Sequence, residues 1–320
     1  MRFADRMLAV VAGICLGLSG CSGVNASETH ISGQREVASA SGKTVTIPAH
    51  PQRMVVDWIT FDNLIGLDLN LATVAGIFGL DFFEKDPELS PFMTAKAREA
   101  GAKAMGEAFE PRYEALGAVK PDVIILAKDQ TTDEVIKKLE EFAPVVVYDV
   151  PDGRKSFDDW RSSLRATAGV VDMAEAAEKY ISSYDRRVAD FKGQHPELVD
   201  LQATVGKIAA DKVTVSMYKR NLGTNVVDEL GLLRPALQRA HKVDAYQSFD
   251  VSLERLDLLD ADVIFLEQRQ AEATFLTRNP LWGRLKAVKT GRVYFVKNYW
   301  QSGAAGSAQH VLDDAIAALT

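Results

Sequence analysis

The stretch DMAEAAEKYISSYDRRVADF (Asp172–Phe191) decides how the rest of the chain is read. Ala177, Tyr180, Ile181, Tyr184, Val188 and Phe191 recur at spacings of three and four, which places them on one face of an α-helix. Twenty residues of helix reach about 30 Å, enough to cross a small domain. No strand pattern lies close to it. On either side, short Val- and Ile-rich runs alternate with helical patterns. Strands are expected at Met54–Trp58, Ala72–Ile77, Asp122–Leu126, Val145–Val150, Val213–Tyr218, Asp262–Leu266 and Val293–Val296. Helices are expected at Arg112–Val119 and Thr132–Phe142; in the second, Thr132 can cap the amino end and Val135, Ile136 and Leu139 form one stripe. Alternation of strand and helix argues for parallel α/β sheets with right-handed crossovers. The expected fold is therefore two α/β lobes joined by one long rigid interdomain helix. The competing reading is one large α/β domain carrying a long surface helix.

The amino terminus sets the compartment. Arg2 and Arg6 precede an apolar or small run from Met7 to Leu18, which is too short for a permanent membrane span. A positive start, a short apolar core and small residues at a cleavage point describe a secretory signal peptide. The following LSGC (Leu18–Cys21) resembles the lipobox of bacterial lipoproteins, which implies cleavage before Cys21 and lipid on that cysteine; an ordinary signal peptide with an incidental cysteine is the alternative. Several acyl chains hold a protein at a membrane far better than one. Residues 22–44 are rich in Ser, Gly and Ala without apolar periodicity and read as a tether. The resulting division is 1–20 signal peptide, 21–44 lipidated tether, 45–168 first lobe, 169–194 interdomain helix and 195–320 second lobe.

Composition narrows the function. The 320 residues carry a net charge of −7, and loss of residues 1–20, with Arg2, Arg6 and Asp5, makes the remainder one unit more acidic. A mildly acidic surface is a poor partner for nucleic acid. Cys15 leaves with the signal and Cys21 takes lipid, so no disulfide can form within the mature chain.

Four segments together resemble the cobalamin/iron-siderophore class of substrate-binding proteins that serve ABC importers. SGKTVTIPAHPQRMVVDWITFDNLIGLDLN (41–70) is similar to that family's opening strand, Pro-x-Arg, first sheet strand and helix. PRYEALGAVKPDVIIL (111–126) resembles its helix, "LKPD" turn and strand, and VSLERLDLLDADVIFLE (251–267) is the counterpart in the second lobe. NPLWGRLKAVKTGRVYFVKNYWQSG (279–303), with the terminal HVLDDAIAAL, resembles the closing pattern. The resemblance implies a class III substrate-binding protein of the helical-backbone metal-receptor type. By the same resemblance it is expected to capture a ferric siderophore between its lobes and deliver it to a membrane permease and its ATPase, on the extracytoplasmic side, as a monomer without a resident cofactor or metal. It further implies that Glu114 and Glu254, one per lobe near the start of a helix, dock onto permease arginines; stabilisation by the helix dipole is the plainer role for both.

In such a protein the ligand lies between the lobes, against loops at the carboxyl ends of strands. Those positions hold Trp58, Phe109, Lys128, Tyr218, Arg220, Arg269, Tyr299 and Trp300. Aromatic faces can cover an organic skeleton with little loss of entropy, and arginine offers a fork of donors to chelating oxygens. Trp282 reads as packing. Where many hydroxamate binders of this type carry an arginine, the GEAFEP loop (106–111) has two acids and no cation, and Ser216 stands at a second such position. An acidic rim favours a ferric hydroxamate of low or positive charge over an anionic catecholate.

Three other readings stay open. Haem or cobalamin would suit the same fold; haem wants an axial His or Tyr, for which Tyr218 or Tyr299 could serve, whereas His50, His195, His241 and His310 fall outside the expected cleft. A bare zinc or manganese site needs converging His and carboxylates, which the scattered histidines do not provide. An extracellular lipoprotein enzyme would need a nucleophile or metal motif, and G-x-S-x-G, H-E-x-x-H, the P-loop and G-x-G-x-x-G are all missing.

Overall fold

A computed structural model describes residues 33–151, 155–209, 212–217, 221–242, 248–268 and 273–320. It begins with a hairpin of β1 (Gln34–Ala38) and β2 (Thr44–Pro48), paired antiparallel. Val37 and Ile47 are buried, and just past β1 the Ala40 N–H donates to the Val147 carbonyl at 2.7 Å. The end of the segment read as tether is thus part of the folded body. One buried residue per strand is enough to hold a hairpin against a larger core, a signal too sparse to register as periodicity.

The first lobe is a five-stranded, all-parallel sheet in the order β5-β4-β3-β8-β9. β3 (Met54–Asp57) leads into α1 (Trp58–Gly66); β4 (Val74–Phe78) is followed by α2 (Leu80–Lys85) and α3 (Pro91–Ala100), which return the chain to β5 (Lys103–Ala104). A small hairpin of β6 (Gly106–Glu107) and β7 (Glu110–Pro111) precedes α4 (Tyr113–Val119), β8 (Val123–Ala127), α5 (Asp133–Leu139) and β9 (Val145–Tyr148). Thr132 caps α5 as its sequence suggested, accepting from the Val135 N–H. β3, β8 and β9 are buried along their whole length, as a sheet covered by helices on both faces requires.

One long helix leads from the first lobe to the second, preceded by a helix that packs on α1 and β9 of the first lobe. α6 (Trp160–Val171) ends at Asp172, which takes a left-handed backbone conformation (φ 59°), and α7 (Ala174–Gln194) follows. Ala177, Ile181, Tyr184 and Phe191 are the buried face of α7, four of the six residues that the periodicity singled out.

The second lobe repeats the sheet with a difference. Its order is β12-β11-β10-β13-β14, formed by β10 (Ala203–Ala209), β11 (Lys212–Ser216), β12 (Ser248–Val251), β13 (Val263–Gln268) and β14 (Val293–Val296). β10, β13 and β14 are parallel, whereas β11 runs antiparallel to both its neighbours, which corrects the expectation of a purely parallel sheet. The helices are α8 (Leu222–Glu229), the short α9 (Ala236–Arg239), α10 (Thr274–Thr277) and α11 (Lys286–Lys289), and the terminal α12 (Ala305–Leu319). The central strand β10, ATVGKIA, escaped the sequence reading because Gly206 and Lys207 interrupt its apolar run. Gly206 is needed there: a Cβ would lie 2.7 Å from the Thr214 carbonyl oxygen.

One apolar cluster runs without a break from Phe61, Leu64 and Ile77 in the first lobe through Ala177, Ile181 and Tyr184 to Val205, Phe265 and Leu312 in the second. The outer face of each sheet has its own smaller core, around Val55, Ile124 and Leu139 in one lobe and Val213, Ile264 and Leu266 in the other.

Candidate functional site

The carboxyl ends of the two sheets turn towards each other. Lys297, just past β14, makes an ion pair of 2.6 Å with Glu88, which lies between α2 and α3 of the first lobe. Loops that follow the strands of both lobes therefore border a shared space.

On the first-lobe side the arrangement grows from Asp57. This residue ends β3 and caps α1: its carboxylate accepts from the Thr60 N–H at 2.7 Å and from the Ala127 N–H, at the end of β8, at 2.6 Å. It is fully buried, and burial pushes its carboxyl up to about 6 against the pull of those two donors. The clamp fixes the next residue, Trp58, half-buried, with its ring centroid 5.7 Å from that of Phe83; Phe82 meets Phe83 edge-on at 5.3 Å. Gly79 makes room for the indole: its φ is +82°, and a Cβ would stand 2.9 Å from Trp58 Cδ1. The Gly79 N–H donates to the Gly106 carbonyl at 2.8 Å, which pins the β6–β7 hairpin beside the tryptophan with Phe109 at its tip. Phe82 and Phe109 are 41% and 52% exposed, so Trp58, Phe82 and Phe109 present apolar surface at the ends of β3 and β4. Phe82 was legible only as one of several aromatics in FGLDFFEKDPELSPF (78–92).

The cations of this rim are engaged. Lys128 follows β8 directly and pairs with Asp149 at 2.9 Å, which raises its pKa. Arg112, just past the GEAFEP loop, gives one guanidinium nitrogen to both Asp81 oxygens at 2.8 and 2.9 Å and to the Ala104 carbonyl at 2.7 Å. Glu107 and Glu110 are exposed on the hairpin, so the acidic character expected of this edge is present in three dimensions.

The second lobe corrects one site residue. Trp300 is fully buried: its ring stacks on Phe265 at 4.7 Å, its indole N–H donates to Asp314 at 2.9 Å, and a Cβ on Gly223 would come within 2.4 Å of it. The 3-10 turn after β14 (Asn298–Trp300) folds the chain back over the sheet, so Trp300 packs inward and cannot face a ligand. Tyr299 is half-buried; its hydroxyl donates to the same Asp314 oxygen at 2.7 Å, and its ring meets Phe92 of the first lobe at 5.6 Å. Burial, with Asp314 beside it, pushes this phenol up. A phenol held in this way is committed to structure, which removes the simplest route to haem ligation by Tyr299. Trp282 packs in the outer core, as expected. At the end of β13, Glu267 is buried and accepts from Asn298 Nδ2 at 2.8 Å, a polar contact that its sequence context did not signal.

Tyr218, Arg220 and Arg269 lie outside the described residues, as does Cys21. The premise that Tyr218 and Arg220 follow the carboxyl end of a parallel strand does not hold, because β11 is antiparallel to β10 and heads away from the end where β10, β13 and β14 terminate. Glu114 and Glu254 are both exposed, in the first turn of α4 and of the 3-10 turn Leu253–Leu259. These elements precede β8 and β13, which hold matching places beside β3 and β10.

Comparison with known proteins agrees with this architecture. The family described as "Periplasmic binding protein" matches residues 63–299. The chain belongs to this family. Among its relatives, the probable siderophore-binding lipoprotein YfiY of Bacillus subtilis (strain 168) is 28% identical over 328 residues, covering 98% of this chain and 95% of YfiY. The Fe(3+)-citrate-binding protein YfmC of the same organism is 25% identical, covering 91% and 90%. Among solved structures, the petrobactin-binding protein YclQ from Bacillus subtilis superposes with a TM-score of 0.69 at 19% identity, covering 89% of this chain and 98% of YclQ. At that identity the likeness speaks for the fold, which these proteins share as two sheet-containing lobes.

Proposed function

We propose that this protein is the substrate-binding component of an ABC importer that holds a ferric siderophore between its lobes and passes it to the membrane permease. The observation that carries this reading is the aromatic surface of Trp58, Phe82 and Phe109 at the ends of β3 and β4, the side of the first lobe on which Glu88 pairs with Lys297 of the second, in a chain whose relatives are named for siderophores and ferric citrate. A bulky chelate needs apolar cover for its skeleton, and rigid rings give it at small entropic cost.

A hydroxamate complex of low or positive charge is the ligand class we favour. Lys128, Arg112 and Lys297 are already paired with Asp149, Asp81 and Glu88, and Glu107 and Glu110 add negative charge to the rim. The second-lobe contact would come from Arg269, which follows β13, one of the strands that end at the interlobe space. Glu114 and Glu254 are proposed as the permease contacts, where charge pairing sets orientation and on-rate more than affinity. Cys21 is proposed as the lipid-bearing residue that holds a monomer at the outer side of the membrane. The ligand leaves chemically unchanged.

The test is tryptophan fluorescence against ferrioxamine, ferrichrome, ferric catecholates, ferric citrate, haem and cobalamin. The expected result is saturable quenching by a ferric hydroxamate, absent with the iron-free ligand and weakened by Trp58→Ala and Phe109→Ala. Quenching by haem or cobalamin alone, or loss of none of it in both variants, would overturn the ligand class or the site.

A further inference from the structure

Among the described residues, the lobes meet at three places besides the passage through α7, and the three differ in kind. In the middle, α1 of the first lobe crosses the start of α12 of the second. Asp62 accepts from the Ala304 N–H at 2.5 Å and the Ser307 N–H at 3.0 Å. Asn63 donates to Ser163 and Thr167, at 2.9 Å each, and accepts from the Ala305 N–H at 3.3 Å. The backbones approach closely: a Cβ on Gly66 would lie 2.6 Å from the Ala305 Cβ, and one on Gly306 would lie 2.5 Å from Asp62 Oδ1. Asp62 and Asn63 are fully buried. A crossing this tight, with every polar partner fixed, can tilt slightly but cannot slide.

The other two contacts lie on opposite flanks of the crossing and are made by long side chains. Towards the β5 edge, Glu88 pairs with Lys297, and Phe92 stacks on His310 at 4.0 Å and meets Tyr299 edge-on. Towards the β9 edge, Arg161 on α6 reaches Asp185 of α7 at 2.5 Å and Glu229 of the second lobe at 2.8 Å. Its guanidinium lies 4.4 Å from the Trp160 ring centroid and 5.0 Å from that of Tyr184, whose hydroxyl donates to Glu229 at 3.0 Å. A cavity of about 500 Å³, lined by Arg161, Asp185, Val188, Ala189, Lys192 and Glu229, opens over this tie and leaves it space to move.

We infer that Arg161 is a positioning residue for ligand retention: the α1–α12 crossing is the pivot between the lobes, and the Arg161–Glu229 tie on one flank sets the angle at which the two strand-end surfaces face each other. The inference rests on the reading of the interlobe space as the ligand site. Loss of the tie frees the second lobe to rock about the crossing, and the bound chelate escapes through the wider opening.

The experiment compares Arg161→Met and Glu229→Gln with Arg165→Met in the full chain. Arg165 makes an equally close, two-pronged pair with Glu178 (2.6 and 3.0 Å), but that pair joins α6 to α7 and never reaches the second lobe. Glu229→Gln keeps an acceptor for the Tyr184 hydroxyl, so it tests the charge without opening the packing. Release of ferrioxamine is expected to quicken about tenfold in Arg161→Met and Glu229→Gln and to change by less than about twofold in Arg165→Met. Hydrogen exchange on the ligand-free chain is expected to rise in α8 for the first two variants while the Ala304, Ala305 and Ser307 amides hold their protection. Equal acceleration by Arg165→Met, or no change in either readout for Arg161→Met, would overturn the inference. Failure of any chelate to bind would count against the proposed function, and the ligand-free exchange would still decide the role of Arg161.

Discussion

Glycine to alanine should have opposite signs at different helical positions of this protein, and Gly306 is the sharpest case. In an unobstructed helix the change stabilises by about 0.5–1 kcal/mol, because alanine has less freedom to lose on folding. Gly169 in α6 and Gly193 in α7 meet that condition, since a Cβ there finds nothing within 4 Å. At Gly306 the Cβ would stand 2.5 Å from Asp62 Oδ1, 3.2 Å from the Asp62 carbonyl oxygen and 3.3 Å from Ile65 Cγ2. All three belong to α1, the partner helix of the crossing, so relief requires the helices to part. Overpacking of this kind costs about 1–3 kcal/mol. Displacing Asp62 from the Ser307 N–H removes a hydrogen bond to a charged group, about 1.5–3 kcal/mol more. With the alanine gain set against these, Gly306→Ala is expected to lose about 1.5–5.5 kcal/mol. The assay is denaturant unfolding followed by circular dichroism, with the midpoint shift read at constant slope. If Gly306→Ala were as stable as the parent while Gly169→Ala gained stability, the close α1–α12 approach would be wrong.

Trp300→Phe should lower stability by about 1–3 kcal/mol, through loss of the indole donor to Asp314, and leave ligand quenching intact; a selective loss of binding at unchanged stability would return Trp300 to the site. Asp57 and Asp62, both pushed up to about 6 by burial, keep their protons to higher pH in the folded chain than in the unfolded one. Their contribution to stability is therefore fully present below about pH 4 and falls as pH rises to about 6, opposite in sign to Asp250 and Asp257, whose pKa values are held down by Lys212 and Arg255. Carboxyl-carbon NMR titration should show two aspartates with midpoints near 6; midpoints near 4 for both would refute the assignment. Charge reversal at Glu114 and Glu254 together should abolish uptake through the cognate permease with ligand binding unchanged, and normal uptake would remove their docking role.

Ferric-ligand capture by two lobes needs surfaces that face each other at a nearly fixed separation. The continuous core through Tyr184 and the crossing at Asp62 supply that rigidity. A small adjustment on binding is therefore expected, rather than the wide closure that flexible strand linkers allow, and small-angle scattering showing a fall of several ångströms in radius of gyration on binding would refute it.

Sequence alone was enough where a single local rule governs the outcome. The 3.6-residue spacing in α7, the threonine cap of α5, the apolar runs in β3, β8 and β9 and the place of Trp58 after the first sheet strand depend on neighbours a few positions away, and all were legible. Several features depend on distant partners and were not. β10 carries a glycine at the centre of a sheet because Thr214 crowds it from β11. β11 runs antiparallel because the chain turns back within a few residues after β10, and a strand's direction leaves no mark in its composition. Trp300 and Trp58 look alike in sequence, each an aromatic just past a strand; one is buried and the other half-exposed because a 3-10 turn bends the first over Phe265 while Asp57 holds the second at the mouth of the sheet. The charges of Lys128, Arg112 and Lys297 were visible from the start, but only the fold brought Asp149, Asp81 and Glu88 to them, since pairing is set by positions in space and not by spacing along the chain.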